Sequence, residues 1–88
     1  MRSATKLPAE RAQFFRALGT RVRDHRIQRK LTQEDMISFG FSVRHWQMIE
    51  AGRPITVITL LRVGKAFGIS VRDLIDGIES RASHEPKV

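Results

Sequence analysis

LTQEDMISFGFSVRHWQMIEAG, residues 31–52, reads as two short helices joined by a tight turn. Thr32 can cap the first helix. Asp35, three residues later, can return a bond to the Thr32 backbone N–H, so a helix is expected from Gln33. Met36, Ile37 and Phe39 give it an apolar side, Gly40 takes the left-handed backbone that ends it, and Ser42 caps a second helix over residues 43–51. On that second helix Trp46, Ile49 and the stem of Glu50 share one face at i, i+3, i+4 spacing, while Val43, Arg44, Gln47 and Met48 share the other. One face belongs to a core and the other is left to read something.

Working outward, Pro8 suits the first turn of a helix over residues 9–29, in which Phe14 or Phe15, Leu18, Val22 and then Arg26 or Ile27 recur on one stripe. Gly19 weakens this helix slightly and permits a close helix approach. On the other side, Thr56 is a cap for a helix over residues 57–67, with Val57, Leu60, Leu61, Val63 and Phe67 apolar and Gly68 at its end. Ser70 and Asp73 repeat the capping pattern for a short last helix, Leu74 is expected in the core, and Gly77 stops the chain's helical part. The expected organisation is a flexible arm over residues 1–8, one domain over 9–77 and a polar, flexible tail over 78–88.

Composition bounds what such a chain does. Eighty-eight residues make one small domain with little core to spare, and no cysteine is available for a disulfide or a thiolate metal site. No stretch approaches eighteen apolar residues and the first residues lack an apolar signal-peptide core, so a cytoplasmic protein without membrane contact is expected. The formal charge of +7 favours polyanionic partners. It is uneven: residues 11–30 hold seven basic side chains against one acid, while residues 70–88 hold three against four. His25, His45 and His84 fall on different elements without ligand spacing, no phosphate-cradling glycine loop or nucleophile constellation is present, and neither a metal, a cofactor nor catalysis is expected.

The strings LGTRVR, RIQRKLTQED, IEAG, LLRVGKAFGIS and VRDLIDG resemble the phage lambda repressor and Cro type of helix-turn-helix domain, over residues 18–77. Two departures are visible. Residues 31–52 are one residue shorter than the commonest spacing, with bulky Ile37 in place of a small residue, and the loop 53–55 is also one short. The resemblance implies an all-α, five-helix domain that binds double-stranded operator DNA as a homodimer and regulates transcription, as a repressor of the Cro type. Matched one at a time to the pattern, Val43, Arg44, Gln47 and Met48 would read bases. Arg44 would fork onto guanine O6 and N7, Gln47 would pair with adenine, and Val43 and Met48 would meet thymine methyls. Gln33, Ser42, His45 and Arg53 would contact phosphates, with half-buried packing as the alternative for His45. Arg2 and Lys6 of the arm would touch phosphates or a groove. Arg26 would pair with Glu50 in a partly buried salt bridge. Ile58, Ile75 and Ile78 are surplus apolar residues and candidates for the dimer surface. The competing reading is an antitoxin, which would bind a partner toxin and its own operator with the same domain.

Overall fold

The computed structural model describes the backbone of residues 2–78 and the side chains of residues 9–78. All its regular structure is helical: α1 (Arg2–Gln28), a 3₁₀ helix (Glu34–Phe39), α2 (Val43–Glu50), α3 (Val57–Phe67) and α4 (Val71–Ile75). Among the described residues no helix is long and apolar enough to cross a membrane.

The shorter elements after α1 start where local chemistry says they should. Thr32 and Asp35 bond reciprocally, with Asp35 N–H donating to Thr32 Oγ1 at 3.1 Å and Thr32 N–H donating to the Asp35 carboxylate at 2.7 Å. Ser42, Thr56 and Ser70 each accept the backbone N–H three residues on. Gly40 ends the 3₁₀ helix at φ 93°, a left-handed conformation in which a side chain would be strained.

The core gathers Leu18 and Val22 from α1, Met36, Phe41, Trp46 and Ile49 from the central pair, Val63 and Phe67 from α3, and Leu74 and Ile78 from the end. Trp46 is its centre. Phe41 and Phe67 meet its ring edge-on at 4.9 Å and 5.9 Å between centroids, the arrangement that the aromatic quadrupole favours. Behind it, α1 and the end of α2 touch backbone to backbone at Gly19, where a Cβ would stand 2.6 Å from the Glu50 carbonyl oxygen.

Several expectations are corrected. The element expected as an α-helix from Gln33 is a 3₁₀ helix, with Met36 N–H bonding Gln33 C=O and Gly40 N–H bonding Ile37 C=O at i+3. Winding tightly lets six residues reach about 12 Å, where an α-helix of the same length reaches about 9 Å. The same winding turns Ile37 out to solvent and leaves Phe39 at the rim, so that Met36 is the element's only buried residue and Phe41, beyond the turn, supplies the second anchor. The apolar residues of α3 divide: the Thr56 cap fixes the helix phase so that Thr59, Val63 and Phe67 are buried, and Val57 and Leu61 face outward. Ile78, expected on a dimer surface and in a flexible tail, is 1% exposed and part of the core, because the chain turns back at Gly77. Finally, α1 begins at Arg2, not at Ala9, so residues 2–8 are helical where an arm was expected. Pro8 therefore lies inside the helix, where it cannot donate the i+4 bond, rather than in its first turn. The side chains of Arg2 and Lys6, and all of residues 79–88 including His84, lie outside what is described.

Candidate nucleic-acid interface

The outer face of α2 is a short ledge about 12 Å long. Arg44, Gln47 and Met48 are exposed along it and Val43 is half-buried at its start. The two ends carry polar groups. Ser42, at the N-terminal end, is exposed, its hydroxyl accepting the His45 N–H at 3.0 Å. Arg53, just past the C-terminal end, is exposed, and its backbone N–H bonds the Met48 carbonyl at 3.1 Å. His45 is half-buried with its ring 6.0 Å from that of Phe41, which places it in the packing at the edge of the ledge.

The inner face is fastened by one buried carboxylate. Glu50 has a side chain only 5% exposed, and Arg26 of α1 grips it with both arms of its fork, Nε to Oε2 at 2.6 Å and Nη2 to Oε1 at 3.0 Å. The Trp46 indole N–H donates to Oε2, and the Gln33 amide donates to Oε1 at 3.1 Å. Burial pushes the Glu50 carboxyl toward its neutral form, but the hydrogen bonds from Arg26, Gln33 and Trp46 outweigh it and hold the group below its usual range. The third donor of Arg26 bonds the Leu31 carbonyl at 2.9 Å, so one guanidinium ties α1, α2 and the loop before the 3₁₀ helix together. Gln33 is not a free group at a helix start. It sits between Glu50 and the outer face of α2, its Oε1 accepting Gln47 Nε2–H at 3.3 Å.

Other arginines that composition assigned to a basic pole are also turned inward. Arg21 donates to the Leu74 and Asp76 carbonyls at 3.1 Å and 2.9 Å, covering the end of α4. Arg29 donates to the Phe67 carbonyl at the end of α3 and lies 4.9 Å above the Phe67 ring. These are cations on the negative ends of helix dipoles. Arg62 does the same for the 3₁₀ helix, bonding the Gly40 carbonyl at 2.7 Å and stacking on Phe41. Between Arg21 and Arg29, His25 stacks on Phe67 at 5.6 Å, and burial, then the two neighbouring cations, hold its pKa below the ordinary imidazole value.

Reasoning from sequence missed the Trp46–Glu50 bond, although the two lie at i, i+4 on one face, and missed the carbonyl-capping arginines, which leave no local signal. Of the expected dimer residues, Ile58 is 65% exposed, Ile75 is half-buried and Ile78 is interior. Ile58 stands with Val57 and Leu61 on one outward side of α3, next to Lys65. No protein-family profile, curated protein or solved structure matches the chain.

Proposed function

We propose that the chain is a sequence-specific DNA-binding transcriptional regulator of the helix-turn-helix kind, and not an enzyme. The 3₁₀ helix, the turn and α2 are then its reading unit. The observation that carries the reading is the two-sidedness of α2: one face held to α1 by a buried ion pair, the other presenting Arg44, Gln47 and Met48 with polar groups at both ends. A major groove about 12 Å wide admits such a helix, and Ser42 and Arg53, exposed at its two ends, would then be the groups that meet neighbouring phosphates. Two copies would set two such helices about 34 Å apart on a palindromic site.

The exposed apolar side of α3, Val57, Ile58 and Leu61, supports a protein contact. In the regulator reading its occupant is the second copy; a toxin in that place is the second reading. Selection of binding sites from random duplex DNA, followed by the solution mass with and without the selected site, tests both. A palindromic consensus bound by a dimer is expected. Salt-sensitive binding with no consensus, by a monomer, would overturn the regulator and favour the partner-binding reading.

A further inference from the structure

The geometry points to a second binding surface: the cleft between the end of the 3₁₀ helix and the last turns of α3 takes an acidic segment of another protein, anchored by one apolar side chain. This surface is separate from the outer face of α2 and stands whether or not that face reads DNA. The cleft measures about 200 Å³ and is open to solvent, and Phe39, Arg62, Lys65 and Ala66 line it. Phe39, left 43% exposed by the 3₁₀ winding, and half-buried Ala66 give it apolar walls. Arg62 and Lys65 lie beside Ala66 on α3, at four and one residues before it, and give it two cations.

Size, charge and rigidity choose the occupant. Sites for small molecules commonly enclose about 300–1,000 Å³, so a cleft this small and open holds one side chain, while the rest of the ligand lies across the surface. Among the described residues the one ion pair is that of Arg26 with Glu50, so neither Arg62 nor Lys65 has a carboxylate partner there. Carboxylates on both sides of an apolar anchor supply what is missing. Arg62 is already set for them: one N–H bonds the Gly40 carbonyl at 2.7 Å and the guanidinium lies 4.5 Å over the Phe41 ring, so little freedom is lost when its other N–H groups are engaged. A duplex phosphate backbone would use the two cations and leave the apolar walls unfilled. Residues 79–88 of the chain itself hold two acids against two bases and no phenylalanine, tryptophan, leucine or isoleucine, so the fitting segment belongs to another protein. The 3₁₀ helix starts next to Gln33, which bonds Gln47, and ends at Phe39, so the cleft and the outer face of α2 are served by opposite ends of one element.

The probe is a blocked synthetic peptide with four aspartates on either side of one phenylalanine, titrated into the isotope-labelled full chain and followed by backbone amide NMR. Shifts are expected at Phe39, Gly40, Arg62, Lys65 and Ala66. Exchanging the peptide's phenylalanine for alanine should weaken binding roughly ten- to hundredfold, the worth of burying one such side chain. Lys65→Glu, at an exposed position, should weaken it roughly fivefold or more, whereas Arg44→Ala should leave it unchanged. Equal binding of the phenylalanine and alanine peptides, or shifts spread over Arg11, Arg23 and Arg44, would reduce the effect to bare charge attraction and overturn the cleft. The same shifts at Phe39 and Ala66 produced by duplex DNA would give the cleft to a nucleic acid, and produced by concentrating the chain alone would give it to a second copy; either overturns the acidic partner. No shift at millimolar peptide overturns it as well.

Discussion

Single side chains in this molecule belong either to the interior or to the outer face of α2, and substitutions separate the two. Glu50 receives Arg26, Trp46 and Gln33 at once, so Glu50→Ala strands a buried guanidinium and an indole N–H. A loss of about 3–5 kcal/mol in unfolding free energy is expected, measured by urea denaturation, because breaking one partner of a buried pair leaves the other uncompensated. Arg44, by contrast, is exposed and unburdened by the core. Arg44→Ala should leave stability within about 0.5 kcal/mol of wild type and lower discrimination at one base position by about 1–3 kcal/mol, whereas Arg53→Ala should weaken all sequences alike and reduce the salt slope by about one. Competition binding on matched and scrambled duplexes at several salt concentrations checks both. His25 gives a pH prediction. Its folded pKa is depressed by burial and by Arg29 and Arg21, so the unfolded chain takes up the proton more readily. The stability it contributes is complete above its unfolded pKa of about 6.5 and declines as pH falls below that. Melting midpoints should therefore drop less in His25→Gln than in wild type between about pH 7.5 and about pH 5.5.

At the scale of elements, the contact between α1 and α2 is set by what is missing from residue 19. Alanine is the better helix former by about 1 kcal/mol, which by itself would make Gly19→Ala stabilising. Its Cβ, however, would meet two backbone carbonyl oxygens, of Glu50 at 2.6 Å and Ile49 at 2.8 Å, which cannot rotate away. Overpacking of this kind typically costs about 1–3 kcal/mol, so a net loss and a lower melting midpoint are expected. A rise in the midpoint would show that the two helices slide apart freely. Much of this layer was legible beforehand. The caps at Thr32, Ser42, Thr56 and Ser70 and the break at Gly40 are read from residues three or four apart, and so are the two faces of α2. The 3₁₀ winding was not, because the cap at Thr32 and the stop at Gly40 would bound an α-helix and a 3₁₀ helix alike. Nor were the arginines over the ends of α3 and α4, whose partners are carbonyls 38 to 55 residues away. The burial of Ile78 is not visible in the sequence because Gly77 looks like a stop, and only the turn there brings the side chain back. The pairing of Gln33 with Gln47 lay hidden for a similar reason: it requires knowing that the residue between Gln33 and the interior accepts only.

For the whole molecule, the formal charge of +7 overstates what faces a ligand, since Arg21, Arg26, Arg29 and Arg62 donate to groups of the fold itself. Exposed Arg11, Arg16, Arg23 and Lys30 on and just after α1, with Arg44 and Arg53, make up much of the surface that remains for a polyanion. The apolar side of α3 is the other large-scale feature, with Val57 71% exposed beside Ile58. In the homodimer proposed above, Ile58→Asp would place two like charges across an isologous contact, so the solution mass is expected to be that of a monomer while the melting curve of the isolated chain is nearly unchanged. A dimer that survives this substitution would place the contact elsewhere. The division of labour within α2 has a consequence on a longer timescale. Interior and ledge share one eight-residue helix without sharing a buried residue. Substitutions at Arg44 and Met48 can therefore accumulate without eroding foldability, so the chemistry of the outer face can drift while the interior is inherited unchanged. Gln47 is the exception. Its bond to Gln33, and through Gln33 to Glu50, makes it the outer-face position whose change the interior feels first.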